Sequence, residues 1–438
     1  MIESVVARIA AVYGNRWRII LVFASFALLT SVSPPVGAAS RDVKLADGTL
    51  IPVEVHTAAS AGESLLLWLP SGFNSHAAEA PLALELAKRG IEVWQADMLA
   101  ARLLPPLESS LDEIPDNDIV QLIDSAAQAS GRRVYLLASA RAGIVALRGA
   151  NAWRRSHPQR RSLGGVVLLH PNLFTTPPEP GSDGIYHAAV GASQSAVFIL
   201  QPELSPWRWR LDALVPTLAQ SGAEVFTRLL PEVRDRFYFR PDATAREQRE
   251  SERLPQLIVE ALAKLRTASA GTQRAARAPN AIVAAEAPRA RALRPYRGNP
   301  TPPPLDLVDL DGKRHVLRDY LGQVVVLNFW ASWCPPCVHE MPSMQRLKHK
   351  FAGRPLQVLA VNMGEDEKVV RAFLREKIKV DFPVPMDRDG AALKRWKVFV
   401  FPTSFVLGLD GKIRYALFGE LEWDDEATTR VIESLLPR

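Results

Sequence analysis

Cysteine is almost absent: the 438 residues hold two, Cys334 and Cys337, spaced three apart in Trp333-Cys334-Pro335-Pro336-Cys337. With no third sulfur, the chain has no structural disulfide elsewhere and no four-thiolate metal site. No second Cys/His pair at metal spacing accompanies them, so neither a metal nor another cofactor is expected. A long apolar run is also lacking. The strongest, Ile19 to Val32, falls short of the ~20 residues that a bilayer-spanning helix needs. Positive charge is concentrated in one stretch: Arg266, Arg274, Arg277, Arg289, Arg291, Arg294 and Arg297 are opposed there only by Glu286. Its Ala/Pro/Arg composition reads as a solvated tether, and no nucleic-acid partner is expected.

What is present fits an ordinary globular chain. Apolar residues make up 47% and charged residues 23%, enough to bury a sizeable core, and the length predicts two or three domains. Residues 1–38 read as an export signal: Arg8, Arg16 and Arg18 lead into the apolar run, and Val36-Gly37-Ala38 forms a cleavage site before Ala39. Cleavage would release a soluble protein, and retention would leave a membrane anchor. Arg16 and Arg18 are not adjacent, so a twin-arginine signal is not supported. In either case the bulk of the chain is expected outside the cytosol, in a periplasmic or extracytoplasmic space. Cysteines there usually staple a fold; a single pair gathered in one motif favours chemistry instead.

Three sections follow the signal: a first block over 41–265, a linker rich in Ala, Arg and Pro over 266–300, and a second block over 301–438. In the second block Val324 to Trp330 reads as a buried strand and Pro335 to about Phe351 as a helix with Met341, Met344, Leu347 and Phe351 on one apolar face. A strand over Leu356 to Val361, a helix over Glu367 to Lys377, a hairpin across Asp410-Gly411 and a closing helix over Asp424 to Leu436 follow. A Cys-x-x-Cys between the first strand and helix of such a pattern is thioredoxin-like. The first block also alternates strands (Ser64 to Leu69, Ile91 to Gln95, Arg133 to Ala138, Gly165 to His170, Ala196 to Gln201) with helices (Pro81 to Arg89, Asp118 to Ala129, Ile144 to Ala150). That rhythm predicts a doubly wound, mostly parallel α/β sheet.

A thiolate, not a thiol, attacks a disulfide. Cys334 stands at the entry to the predicted helix, where backbone N–H groups and the helix dipole favour negative charge. Pro335 suits the first helical turn because its missing N–H costs nothing there. Cys334 is therefore the expected attacker, with a lower pKa than Cys337, and Cys337 resolves the mixed disulfide. An inert disulfide and half of a zinc site are the alternatives. A peroxiredoxin is the nearest enzymatic rival, but it would use one peroxidatic cysteine rather than a Cys-Pro-Pro-Cys pair.

The string Val326-Leu327-Asn328-Phe329-Trp330-Ala331-Ser332-Trp333-Cys334-Pro335-Pro336-Cys337-Val338-His339-Glu340-Met341-Pro342, with Phe401-Pro402-Thr403 and Leu409-Asp410-Gly411-Lys412-Ile413, resembles the TlpA/ResA/CcmG-like thioredoxin family of exported thiol–disulfide oxidoreductases. The resemblance covers 301–438 and implies a thioredoxin fold and a usually reductive role, often in cytochrome c maturation. It further implies protein disulfides or dithiols as substrates and a membrane thiol reductase as electron donor. It makes Pro402 the family's cis-proline and Glu340 its thiol-tuning glutamate. Asn328 stands where thioredoxin itself has a buried acid; an amide cannot accept that proton, which leaves Glu340 or water. His339 reads as a surface helix residue. Trp333, Pro335 and Pro336 complete the candidate site.

Residues 41–265 resemble an α/β-hydrolase that has lost its nucleophile. The strand-to-helix turn Ala138-Ser139-Ala140-Arg141-Ala142-Gly143 places Ala140 in register with the serine of a Gly-x-Ser-x-Gly elbow. Ser139 falls one residue early. Pro70-Ser71-Gly72-Phe73 occupies the place of the oxyanion loop. Gln201-Pro202-Glu203 stands where the acid is expected, and Pro231 to Phe237 offers no histidine. His170 and His187 lie at no expected position, and a triad needs a base within hydrogen-bond reach.

The leading expectation is an exported disulfide reductase whose hydrolase-like block, without catalysis of its own, binds a partner or ligand. The alternatives are a binding protein whose dithiol only senses redox state, and a bifunctional esterase and thiol oxidoreductase.

Overall fold

The computed structural model describes residues 38–60, 62–72, 76–176, 178–268 and 292–437. The expected signal segment, apart from Ala38, and most of the expected linker lie outside the described residues. Among the described residues no helix is long and apolar enough to cross a membrane.

The first block is built on one eight-stranded sheet. Its strands are β1 (Ala38–Lys44), β2 (Leu50–His56), β3 (Ser64–Trp68), β4 (Glu92–Ala96), β5 (Arg133–Ser139), β6 (Leu163–Leu169), β7 (Val197–Leu204) and β8 (Val225–Arg234), in the order β1-β2-β4-β3-β5-β6-β7-β8. From β4 to β8 every neighbouring pair is parallel, while β1, β2 and β4 pair antiparallel. Strands covered on both faces read as continuous apolar runs, as Leu65-Leu66-Leu67-Trp68 does. Leu65, Leu67, Val134 and Leu136 pack with α2 (Asp116–Ser130) and α3 (Ala142–Ser156) on one face. Leu66, Trp68, Tyr135 and Leu137 pack with α1 (His76–Lys88) and α5 (Ala245–Ala268) on the other. A further helix, α4 (Leu211–Ala219), lies between β7 and β8.

The second block carries a six-stranded sheet in the order β14-β13-β12-β15-β16-β9 and a separate two-stranded hairpin. Its strands are β9 (Arg294–Pro295), β10 (Asp306–Val308), β11 (Arg314–Val316), β12 (Val324–Trp330), β13 (Leu356–Met363), β14 (Met386–Asp387), β15 (Thr403–Leu407) and β16 (Ile413–Phe418). The helices are α6 (Pro335–Lys350), α7 (Glu367–Glu376), α8 (Ala391–Arg395) and α9 (Glu426–Leu435). β12, α6 and parallel β13 form a βαβ unit, and β15 returns antiparallel beside β12. β15 and β16 join through the turn at Gly411, whose φ of +72° suits glycine.

Several bounds differ from the sequence reading. The linker is shorter at both described ends: α5 continues to Ala268, and Arg294–Pro295 already pair with β16. Helix α3 runs through Gly149 to Ser156 because it packs close on α2, where a Cβ at Gly149 would come within 2.3 Å of Ile119 Cγ2. β8 extends through Pro231 to Arg234, since an edge strand tolerates a proline that cannot donate.

Candidate active site

Side chains alternate along a strand, and on β12 that alternation sets the site. Val324, Val326 and Trp330 face the core under α6, while Val325, Leu327 and Phe329 face the core of Trp396 and Phe405. Asn328 shares parity with the first set, so its polar group is carried beneath α6. All seven β12 side chains are buried.

Helix α6 starts at the dithiol. Cys334 is its N-cap, in extended conformation, and its Sγ accepts from Cys337 N–H at 3.4 Å. Pro335 and Pro336 occupy the first turn and are exposed, while Cys334 is 6% and Cys337 0% exposed. The two sulfurs are joined in a disulfide. Both cysteines are therefore buried, Cys334 slightly less completely than Cys337.

Glu340 follows Cys337 by three residues, which places it on the same helix face. It is buried, not solvated. Its Oε1 accepts from Asn328 Nδ2 at 2.7 Å, and its Oε2 accepts from Leu421 N–H at 3.1 Å and Trp423 Nε1 at 3.2 Å. Burial pushes its pKa up to about 8, against the lowering effect of these three donors. Asn328 also donates to Ser404 Oγ at 2.9 Å, tying β12 to β15. The Phe401–Pro402 peptide is cis and leads directly into β15. Trp333, half-buried, meets Phe401 edge-on with ring centroids 5.7 Å apart. His339 is exposed and stands 3.7 Å from Glu420.

One residue of this site escaped the sequence reading. Glu365, in the turn after β13, accepts from Ser332 N–H at 2.7 Å and from Asn362 Nδ2 at 2.7 Å, and also pairs with the Ser332 hydroxyl. Burial raises its pKa. It holds the backbone two residues before Cys334. The available signal was an acid just past the end of the strand that pairs with β12, where Trp330 is in register with Asn362.

Known proteins match this region. The model of the AhpC/TSA family matches residues 298–416. Thiol-disulfide oxidoreductase ResA of Geobacillus thermodenitrificans is 36% identical over 137 residues, which cover 31% of this chain and 77% of that protein. The chain belongs to the ResA family. The ResA of Bacillus subtilis is 36% identical over 115 residues, covering 26% of this chain and 64% of that protein. Among solved structures, StoA from Bacillus subtilis is 26% identical, covering 31% of this chain and 97% of that one, with a TM-score of 0.27. This ResA-family chain is a thioredoxin-like protein-disulfide oxidoreductase, by a match that spans about a third of its length.

In the first block of this ResA relative the remaining candidates do not assemble. Ala140 follows β5 with φ +48° and carries no nucleophilic atom, and Ser139 is buried beside it. His170, at the end of β6, is buried with Nε2 lacking a hydrogen-bond partner, and burial lowers its pKa to about 3. His187 Nδ1 accepts from Ala189 N–H at 3.1 Å. Glu203 is engaged by Arg208 at 3.1 Å and by Glu232 N–H at 3.2 Å. Phe73 lies outside the described residues.

Proposed function

We propose that this chain is an exported thiol–disulfide oxidoreductase that reduces protein disulfides through Cys334 and Cys337. The observation that carries the reading is a disulfide between the N-cap cysteine of α6, behind two exposed prolines, and a fully buried cysteine one helical turn on. In the reduced protein, Cys334 thiolate attacks one sulfur of a substrate disulfide and the other leaves as a thiolate. The Cys337 thiol gives up its proton, attacks Cys334 Sγ and releases the second substrate thiolate. The protein loses two electrons and the substrate gains them. Glu340, raised to about 8, is suited to take the proton of Cys337 and return it when the disulfide is reduced again, since a group near the working pH both accepts and donates. Asn328 orients Glu340, and the cis-proline at 402 supplies backbone beside the dithiol for the substrate chain.

The setting follows the family resemblance: a periplasmic or extracytoplasmic site, a membrane thiol reductase as electron donor, and a role in cytochrome c maturation. The first block reads as an α/β-hydrolase-like module without catalysis, used for a partner or ligand. Its strand order and the positive φ at Ala140 support that ancestry. The buried His170, whose Nε2 meets no hydrogen-bond partner, and the methyl group at Ala140 speak against esterase activity.

Trapping tests the reading. Cys337→Ser should retain protein substrates on Cys334 as mixed disulfides identifiable by mass spectrometry, and the unmodified protein should reduce insulin with multiple turnovers. A single stoichiometric reaction would leave only a redox sensor.

A further inference from the structure

The first block grips the segment that runs into the cis-proline. Trp396 to Phe401 connects α8 to β15. At its far end Phe401 lies against Trp333, the neighbour of Cys334. Its near end is held from the first block. Arg210 Nη2 donates to the Val398 carbonyl at 2.9 Å, and the same guanidinium lies 4.1 Å from the centre of the Phe399 ring. Phe174 meets Phe399 edge-on, with centroids 5.1 Å apart at 83°. Phe399 is consequently only 3% exposed, although it lies in a loop. Trp209 fills the next space: a Cβ built on Gly390 would come within 2.6 Å of its indole, and one on Gly364 within 2.9 Å.

Two ion pairs flank this contact, Lys394–Asp212 at 2.5 Å and Lys397–Asp183 at 2.7 Å. Both are exposed and screened, so they contribute little. Arg210 is different. Half-buried, it donates through Nη2 to one carbonyl and lays its flat guanidinium over a ring face, while Asp212 and Asp183 act on it only through space. Lys397 takes φ +52° at the same place, a conformation L residues adopt at a cost. Arg210 ends the turn Pro206–Arg210 after β7, and Phe174 follows β6. These are the carboxyl ends of parallel strands, the edge where open α/β sheets place their working groups.

We infer that the first block uses this edge to position the redox site: Arg210, backed by Phe174, fixes the loop that presents the cis-proline backbone, so that both blocks together select protein disulfides. This rests on the oxidoreductase reading above. Arg210 is a positioning residue, since it touches neither cysteine.

The test compares full-length Arg210→Ala and Arg210→Lys with the unmodified chain on insulin and on a small aromatic disulfide, as KM and kcat. Arg210→Ala should raise KM for insulin about five- to tenfold and leave kcat and small-disulfide turnover within about twofold, a split that general destabilisation does not produce. Arg210→Lys should recover little, because an ammonium cannot lie flat over the Phe399 ring while it reaches the Val398 carbonyl. Should Arg210→Ala fail to fold, Phe399→Leu removes the ring under the guanidinium and should give the same split. Unchanged KM for insulin, or an equal fall with both substrates, overturns the inference. An unmodified chain that turns over neither disulfide overturns the oxidoreductase reading itself, and this inference with it.

Discussion

Asn328 on β12 donates a 2.7 Å hydrogen bond to Glu340 on α6, so the one polar residue of the central strand meets the one acid buried under the dithiol helix. Neither residue satisfies itself locally. The amide needs an acceptor in an apolar layer, and the carboxyl needs donors once it has left water.

Glu340→Gln should remove a pH-dependent stability term. An acid whose folded pKa is raised to about 8 from 4.5 binds more protons folded than unfolded between those values. Its contribution therefore falls as pH rises from about 4.5 to 8 and is flat above. Glu365 and Asp387 are also raised by burial, so the comparison is the difference between variant and unmodified protein. Urea unfolding across that range should show the unmodified protein losing on the order of a few kcal/mol relative to Glu340→Gln. Parallel curves would refute the raised pKa. Insulin reduction by the variant should also lose its inflection near pH 8.

Asn328→Leu deletes the donor shared by Glu340 and Ser404. Leaving a buried acceptor without its donor costs about 1–3 kcal/mol. Denaturant midpoints should fall accordingly, and the pH inflection assigned to Glu340 should move upward, since one donor that favoured the carboxylate has gone. An unmoved inflection would disconnect the two residues.

Glu365→Gln replaces an acceptor of two Ser332 donors with an amide that presents only one acceptor atom. A loss of about 1–3 kcal/mol is expected, together with faster amide hydrogen exchange at Ser332. Unchanged exchange there would show that Glu365 does not hold the segment leading to Cys334.

Ala140→Ser restores an oxygen to the turn after β5 but no base, because His170 is buried without a partner at Nε2. Neither the variant nor the unmodified protein should react with a fluorophosphonate probe. Labelling of the variant alone would reveal a base within reach of residue 140.

Much of the second block was legible in local pattern. The apolar run Val324 to Trp330 matches β12 residue for residue, and α6 ends one residue short of its expected limit. Strand length, a helix-opening proline and a Cys-x-x-Cys pair are all short-range signals. The first block was less transparent at its ends. The helix expected over Ile144 to Ala150 runs on to Ser156, with Gly149 inside it where α2 leaves no room for a side chain. Glu365 carries no motif; its meaning comes from lying 33 residues from Ser332 along the chain yet joined to it by two hydrogen bonds in space.

The sequence by itself determined where sulfur chemistry happens, because two cysteines in one motif leave no other place. It also determined that Cys334 opens a helix, because capping and proline preferences act within one turn. Tertiary structure alone decided that Glu340 is desolvated, since its burial depends on Asn328 from β12 and on Leu421 and Trp423 from the stretch after β16. It alone decided that Arg210 lies against Phe399, nearly two hundred residues on, where packing between a turn of the first block and a loop of the second, not local preference, sets the contact.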